Sequence, residues 1–143
     1  MVIFLSLIFA FSTPVVINTT GVEELELAVV AGAEELGIQS KIYIVFTPEV
    51  LGNRNHVVRV WDGFYIYVDR TLRRDRMFRV LAHELIHIQQ YESGRLIETD
   101  RDSIVIWEGR TYDMRQVKHE DRPWEIEAHR GDYRLSRVMI QGI

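Results

Sequence analysis

The chain predicts an α+β domain, a small mixed sheet carrying helices on one face. Three patterns carry the prediction: a strand–helix–strand opening, two short hairpins with Gly in their turns, and two long segments of helical periodicity. VVIN (Val15 to Asn18) follows Pro14 and reads as the first strand. Thr19 or Thr20 can N-cap a helix whose first turn holds Glu23 and Glu24, acids that suit the positive end of the helix dipole. Val22, Leu25, Val29 and Leu36 space its apolar stripe, and Gly37 is placed to end it. KIYIVF (Lys41 to Phe46) is a β-branched and aromatic strand that stops before Pro48. HVVRVW (His56 to Trp61) and FYIYVD (Phe64 to Asp69) make a hairpin pair around Asp62-Gly63.

The next helix opens at Thr71 or Asp75, spans about 72–92 and closes at Ser93-Gly94. Met77, Phe78, Val80, Leu81, Leu85 and Ile88 form its buried side. SIVIW and RTYDM, on either side of Glu108-Gly109, predict a second hairpin. Pro123, tolerated only in a first turn, starts a last helix over about 123–138. Residues 15–143 are expected to form one domain. Residues 1–14 are an apolar segment, either a first strand or a leader. Met1 to Phe11 is too short to span a bilayer as a helix and lacks the basic residues that precede a signal-peptide core. A cytoplasmic location is therefore expected, with export or membrane anchoring only if residues 1–14 act as a leader.

The 143 residues are 47% hydrophobic and 27% charged, with a net charge of −4, an ordinary globular balance without the basic stripe of a nucleic-acid surface. With no cysteine, any metal must be held by His, Asp or Glu. The segment RVLAHELIHIQQYESG then stands out. On a helix, residues i and i+4 share a face, so His83 and His87 can reach one metal. Glu84 flanks the same spot without taking a ligand position, which suits a proton-accepting carboxylate beside a metal-activated water.

A catalytic zinc usually has three protein ligands, so a third is needed. Glu125, Glu127, His129, His119 and several aspartates follow the motif. Glu127 is the residue expected, because the adjacent Ala128 permits a second helix to cross closely. Glu125 and Glu127 lie roughly 200° apart on a helix and cannot both face one metal. A first-turn acid at Glu125 is also what a helix dipole favours. His129 is read as a surface residue and His119 as a solvated loop histidine, with assistance to an oxyanion as the lesser alternative. Three N/O ligands with an open position favour Zn2+.

HELIH followed by PWEIEA resembles the gluzincin zinc metallopeptidases, whose ligands are two His of H-E-x-x-H and a Glu from a later helix. The size and the opening order of elements look most like the minimal single-domain members, the minigluzincins and related phage and prokaryotic mini-peptidases. The resemblance implies a zincin-like minimal domain, zinc on His83, His87 and Glu127, and Glu84 as general base and acid. Members of thermolysin type carry an Asp four residues after their Glu, where this chain has Gly131, with Asp132 one place off. No third histidine of metzincin type follows HELIH, since the next residues are IQQYESG. The expected partner is a peptide or protein substrate held against an exposed strand, FYIYVD or KIYIVF. The competing expectation is a zinc-binding regulatory module whose site is covered by the apolar tail LSRVMIQGI.

Overall fold

The computed structural model describes residues 12–52 and 54–143. The apolar run from Met1 to Phe11 lies outside the described residues. Strand β1 (Val16–Asn18), helix α1 (Glu23–Leu36) and strand β2 (Lys41–Phe46) form a parallel crossover unit. After a short 3-10 turn come β3 (His56–Val60) and β4 (Gly63–Val68), then α2 (Arg74–Glu92). Strands β5 (Leu96–Glu98), β6 (Ile104–Trp107) and β7 (Arg110–Asp113) follow, and α3 (Pro123–Gln141) ends the chain. The α+β class is as expected, with a second small sheet beside the first.

The larger sheet has the order β1-β2-β4-β3 and is mixed: β2 pairs in parallel with β1 and β4, while β3 and β4 are antiparallel. Its register aligns Ile42 with Phe64 and Ile44 with Ile66. These side chains are buried under the helices, together with Leu25, Phe78, Leu81, Leu85 and Met139. Alternate residues face the other way, where Tyr43 stacks on Tyr65 at 4.5 Å and His56 on Tyr67 at 4.7 Å. Strands β2 and β4 are both interior, so the edge nearest α2 is β3 rather than either strand expected to meet a substrate.

Some boundaries moved for local reasons. Thr20 does not cap α1. Its hydroxyl accepts the Val22 amide at 3.2 Å and donates to Asn18 Oδ1, so the helix starts at Glu23. Gly37 ends it in the left-handed conformation, as expected. Before α2, Asp69 Oδ1 accepts both the amide and the hydroxyl of Thr71, and the helix begins at Arg74. The first hairpin turns on Trp61-Asp62, since Val60 pairs with Gly63. Gly63 is needed as a strand residue: a Cβ there would fall on the carbonyl oxygen of Lys41. Gly63→Ala is accordingly expected to destabilise the fold by about 1–3 kcal/mol in chemical denaturation, the usual scale for an overpacked site. The second hairpin turns on Glu108-Gly109 as expected, with φ of 46° and 81°.

The C-terminal residues are structural. Leu135 and Met139 are buried on α3, and a Cβ at Gly32 of α1 would lie 2.7 Å from Leu85 Cδ1 and 2.9 Å from Met139 Cγ. The three helices thus meet at Gly32, and LSRVMIQ forms their junction instead of covering the face that carries HELIH. No helix among the described residues is long and apolar enough to cross a membrane.

Candidate metal centre

The site is made where α3 crosses α2. Two small residues of α3 allow the approach: Ala128 is fully buried, and a Cβ at Gly131 would come within 2.9 Å of Ile86 Cδ1. HELIH lies in the middle of α2 with His83 partly buried and Glu84 and His87 buried.

The carboxylate that the crossing delivers is that of Glu125. Its Oε2 is 3.0 Å from His83 Nε2 and 3.3 Å from His87 Nε2, and the two imidazole nitrogens are 3.0 Å apart. Tetrahedral ligands on zinc, with bonds near 2.0–2.1 Å, sit about 3.4 Å from one another, so the triangle is close to that needed. Two imidazole nitrogens and a carboxylate at this spacing are held together by an N–H of one ring or by a metal ion between them. The donor set of two imidazoles and one carboxylate suits zinc or a similar divalent metal. His83 and Glu125 also converge with His129, all within 4.8 Å. His129 is mostly exposed, however, and its Nδ1 lies 3.4 Å from Asp132, so His87 is the better third corner.

Glu127, the ligand expected from the sequence, faces elsewhere. Its carboxylate accepts from Arg95 Nη1 at 2.9 Å and from Gln90 Nε2 at 3.1 Å. The reason is angular. Ala128 does mark the crossing, but the residue just before it is about 100° around the helix, whereas Glu125, three before, is only about 60° away.

Glu127 nonetheless supports the site through Gln90, a fully buried residue one turn after His87. The Gln90 amide nitrogen donates to Trp124 O at 3.0 Å and to Glu127, so its Oε1 must be the atom that meets His87 Nδ1 at 2.8 Å. His87 Nδ1 therefore carries a proton, and Nε2 is the ring nitrogen turned toward Glu125. Gln90→Leu should weaken metal binding about 10–100-fold, the usual effect of losing such a support, as read by competition with a chromogenic chelator. Asp132 has the matching place at His83. Its carboxylate is 3.6 Å from His83 Nδ1, an otherwise unpartnered buried atom, and accepts from Arg79 Nε at 2.8 Å. Counted from Glu125, Asp132 is seven residues on and returns to the same face within about 20°.

The local field favours a cation at the centre. Burial pushes the Glu125 carboxyl up, but hydrogen bonds from His83 and His87 outweigh it and hold the group far below the ordinary carboxylate range. Burial pulls His87 down, yet the same carboxylate carries it above the usual imidazole value. Burial dominates at Glu84 and raises it, only partly opposed by His87 and His83. His119, in the 3-10 turn before α3, meets the other Glu125 oxygen at 3.2 Å. A cavity of about 210 Å³ opens over these groups, walled by His56 and Val57 of β3 and by Tyr91, Leu96 and Trp124. No family model, curated protein or solved structure matches the chain.

Proposed function

We propose that the chain is a zinc-dependent metallopeptidase of zincin-like, gluzincin type, with His83, His87 and Glu125 as the metal ligands. The observation that carries this reading is the convergence of His83 Nε2, His87 Nε2 and Glu125 Oε2 within 3.3 Å, with Glu84 next along α2. A zinc ion held there lowers the pKa of a water and polarises a carbonyl oxygen.

The remaining work belongs to the side chains. Glu84 accepts the proton of the attacking water and returns it to the leaving amine. Its burial suits the task, because a carboxyl raised above its ordinary value binds a proton more tightly and so is a stronger base. Gln90 holds the His87 imidazole in ligand orientation, and the Asp132 carboxylate lies 3.6 Å from His83 Nδ1 on the corresponding side. His119, beside Glu125 at the cavity wall, is placed to donate to the developing oxyanion. Strand β3 is the sheet edge, among the described residues, along which an extended peptide can add as another strand, with His56 and Val57 next to the metal centre.

Purified chain is expected to carry equimolar zinc, to cleave an unfolded protein substrate, and to lose both zinc and activity to a strong chelator. Zinc should restore activity. Because the ligands join α2 to α3, chelation should also lower the melting temperature. Protein that holds no zinc and melts identically with and without chelator would remove the reading.

A further inference from the structure

The groove over the metal centre has two unlike arms. One contains the aromatic and apolar groups Tyr91, Leu96 and Trp124. The other, a cavity of about 240 Å³ that shares Asn55, His83, Glu84 and His119 with the first, is walled on α2 by Arg76, Arg79 and Val80. Its carboxylates are Glu84, which faces the histidines, and Asp132, which is engaged by Arg79 Nε at 2.8 Å. Arg79 is therefore anchored through one nitrogen while its Nη groups, on a side chain 47% exposed, have no protein partner among the described residues. Arg76 is exposed and makes no ion pair among the described residues. Two guanidinium groups side by side at the mouth of a pocket, one pre-oriented by a buried acid, form a fork for a carboxylate.

We infer that this arm binds a carboxylate of the substrate, carried by an acidic side chain or a C-terminus, on the C-terminal side of the cleaved bond. The inference rests on the peptidase reading only for the position of that bond. The direction follows from β3. Asn55, immediately before it, borders both arms, while His56 and Val57 border only the aromatic one. A peptide pairing antiparallel to β3, the commoner arrangement, thus runs from the aromatic arm into the basic arm. The substrate class is an extended segment with an apolar or aromatic residue before the bond and an anionic group after it.

The test uses full-length protein and fluorescein-labelled peptides Ala-Ala-Phe-Xaa-Ala-Ala amide, with Xaa Glu, Gln or Lys. A fourth peptide has Gln at that position and ends there in a free carboxylate. Anisotropy on zinc-loaded and on chelated protein reports binding, and chromatography reports cleavage. The Glu peptide or the free-carboxylate peptide should bind about tenfold more tightly than the neutral amide, in keeping with one charge-assisted contact. Which of the two leads identifies the source of the carboxylate. The preference should shrink in high salt, and Arg76→Glu should shift it toward the Lys peptide. Cleavage with indifferent binding of Glu, Gln and Lys peptides overturns the inference and leaves the peptidase reading standing. Anion-selective binding without cleavage of any peptide does the reverse. Neither binding nor cleavage overturns both.

Discussion

Glu84→Gln is expected to leave zinc bound at full stoichiometry while lowering peptide hydrolysis by about 10²–10⁴-fold, the range lost with a general base. The substitution keeps shape and removes the ability to take and return a proton. It leaves untouched His83, His87 and Glu125, whose donor atoms converge without help from Glu84. A second consequence separates this role from a structural one. In chelated protein the Glu84 carboxyl is raised by burial, so the folded state holds a proton that the unfolded state releases above the ordinary carboxylate value. Between that value and the raised one, stability falls as pH rises. Chelated Glu84→Gln should therefore be at least as stable as the chelated parent at neutral pH. Metal content by atomic emission, hydrolysis rates and denaturation midpoints read all three effects. Hydrolysis at the parent rate would sink the role given to Glu84.

What could be read in advance was what a single segment determines. HELIH and its helix were legible because i, i+4 spacing on a helix fixes a shared face whatever packs against it. The Glu108-Gly109 hairpin was legible because its φ of 46° and 81° call for a Gly-rich two-residue turn. The β1–α1–β2 unit followed from alternating periodicities and the left-handed Gly37. Strand β5 was missed, being only the three residues Leu96–Glu98. The sheet order was also beyond reach, since nothing local says that β4, not β3, pairs with β2, and this alone makes β3 the edge.

The site divided in the same way. Its α2 half is a property of one helix, whereas its α3 half depends on how two helices cross. Ala128 signalled the crossing, and the small residue three places on, Gly131, completes the contact through Ile86. Helical geometry then puts Glu125, Ala128 and Asp132 on the inner face, an inference open to the sequence once positions are counted from Ala128 by turns instead of by adjacency. Gln90 left a similar signal, one turn beyond His87, in a stretch whose polar residues carried no site reading beyond the lack of a third histidine.

A paired substitution at the two glutamates should separate ligand from support. Glu125→Ala removes the only carboxylate of the donor triangle and leaves two imidazoles facing solvent. Zinc affinity is expected to fall roughly a thousandfold or more, and activity with it. Glu127→Ala leaves the triangle intact. Gln90 keeps its bond to Trp124 O, so its amide stays oriented, while Arg95 keeps Glu108 at 2.6 Å. The Glu127–Arg95 pair is more than a third exposed on both sides, which limits its contribution to about 1 kcal/mol. Zinc affinity should therefore fall by no more than about tenfold in Glu127→Ala, by way of a slightly looser Gln90. Competition with a chromogenic chelator measures both variants on one scale, and circular dichroism reports whether each remains folded. If Glu127→Ala loses zinc while Glu125→Ala retains it, α3 must sit rotated by about half a turn from the position described, and the ligand assignment passes back to Glu127.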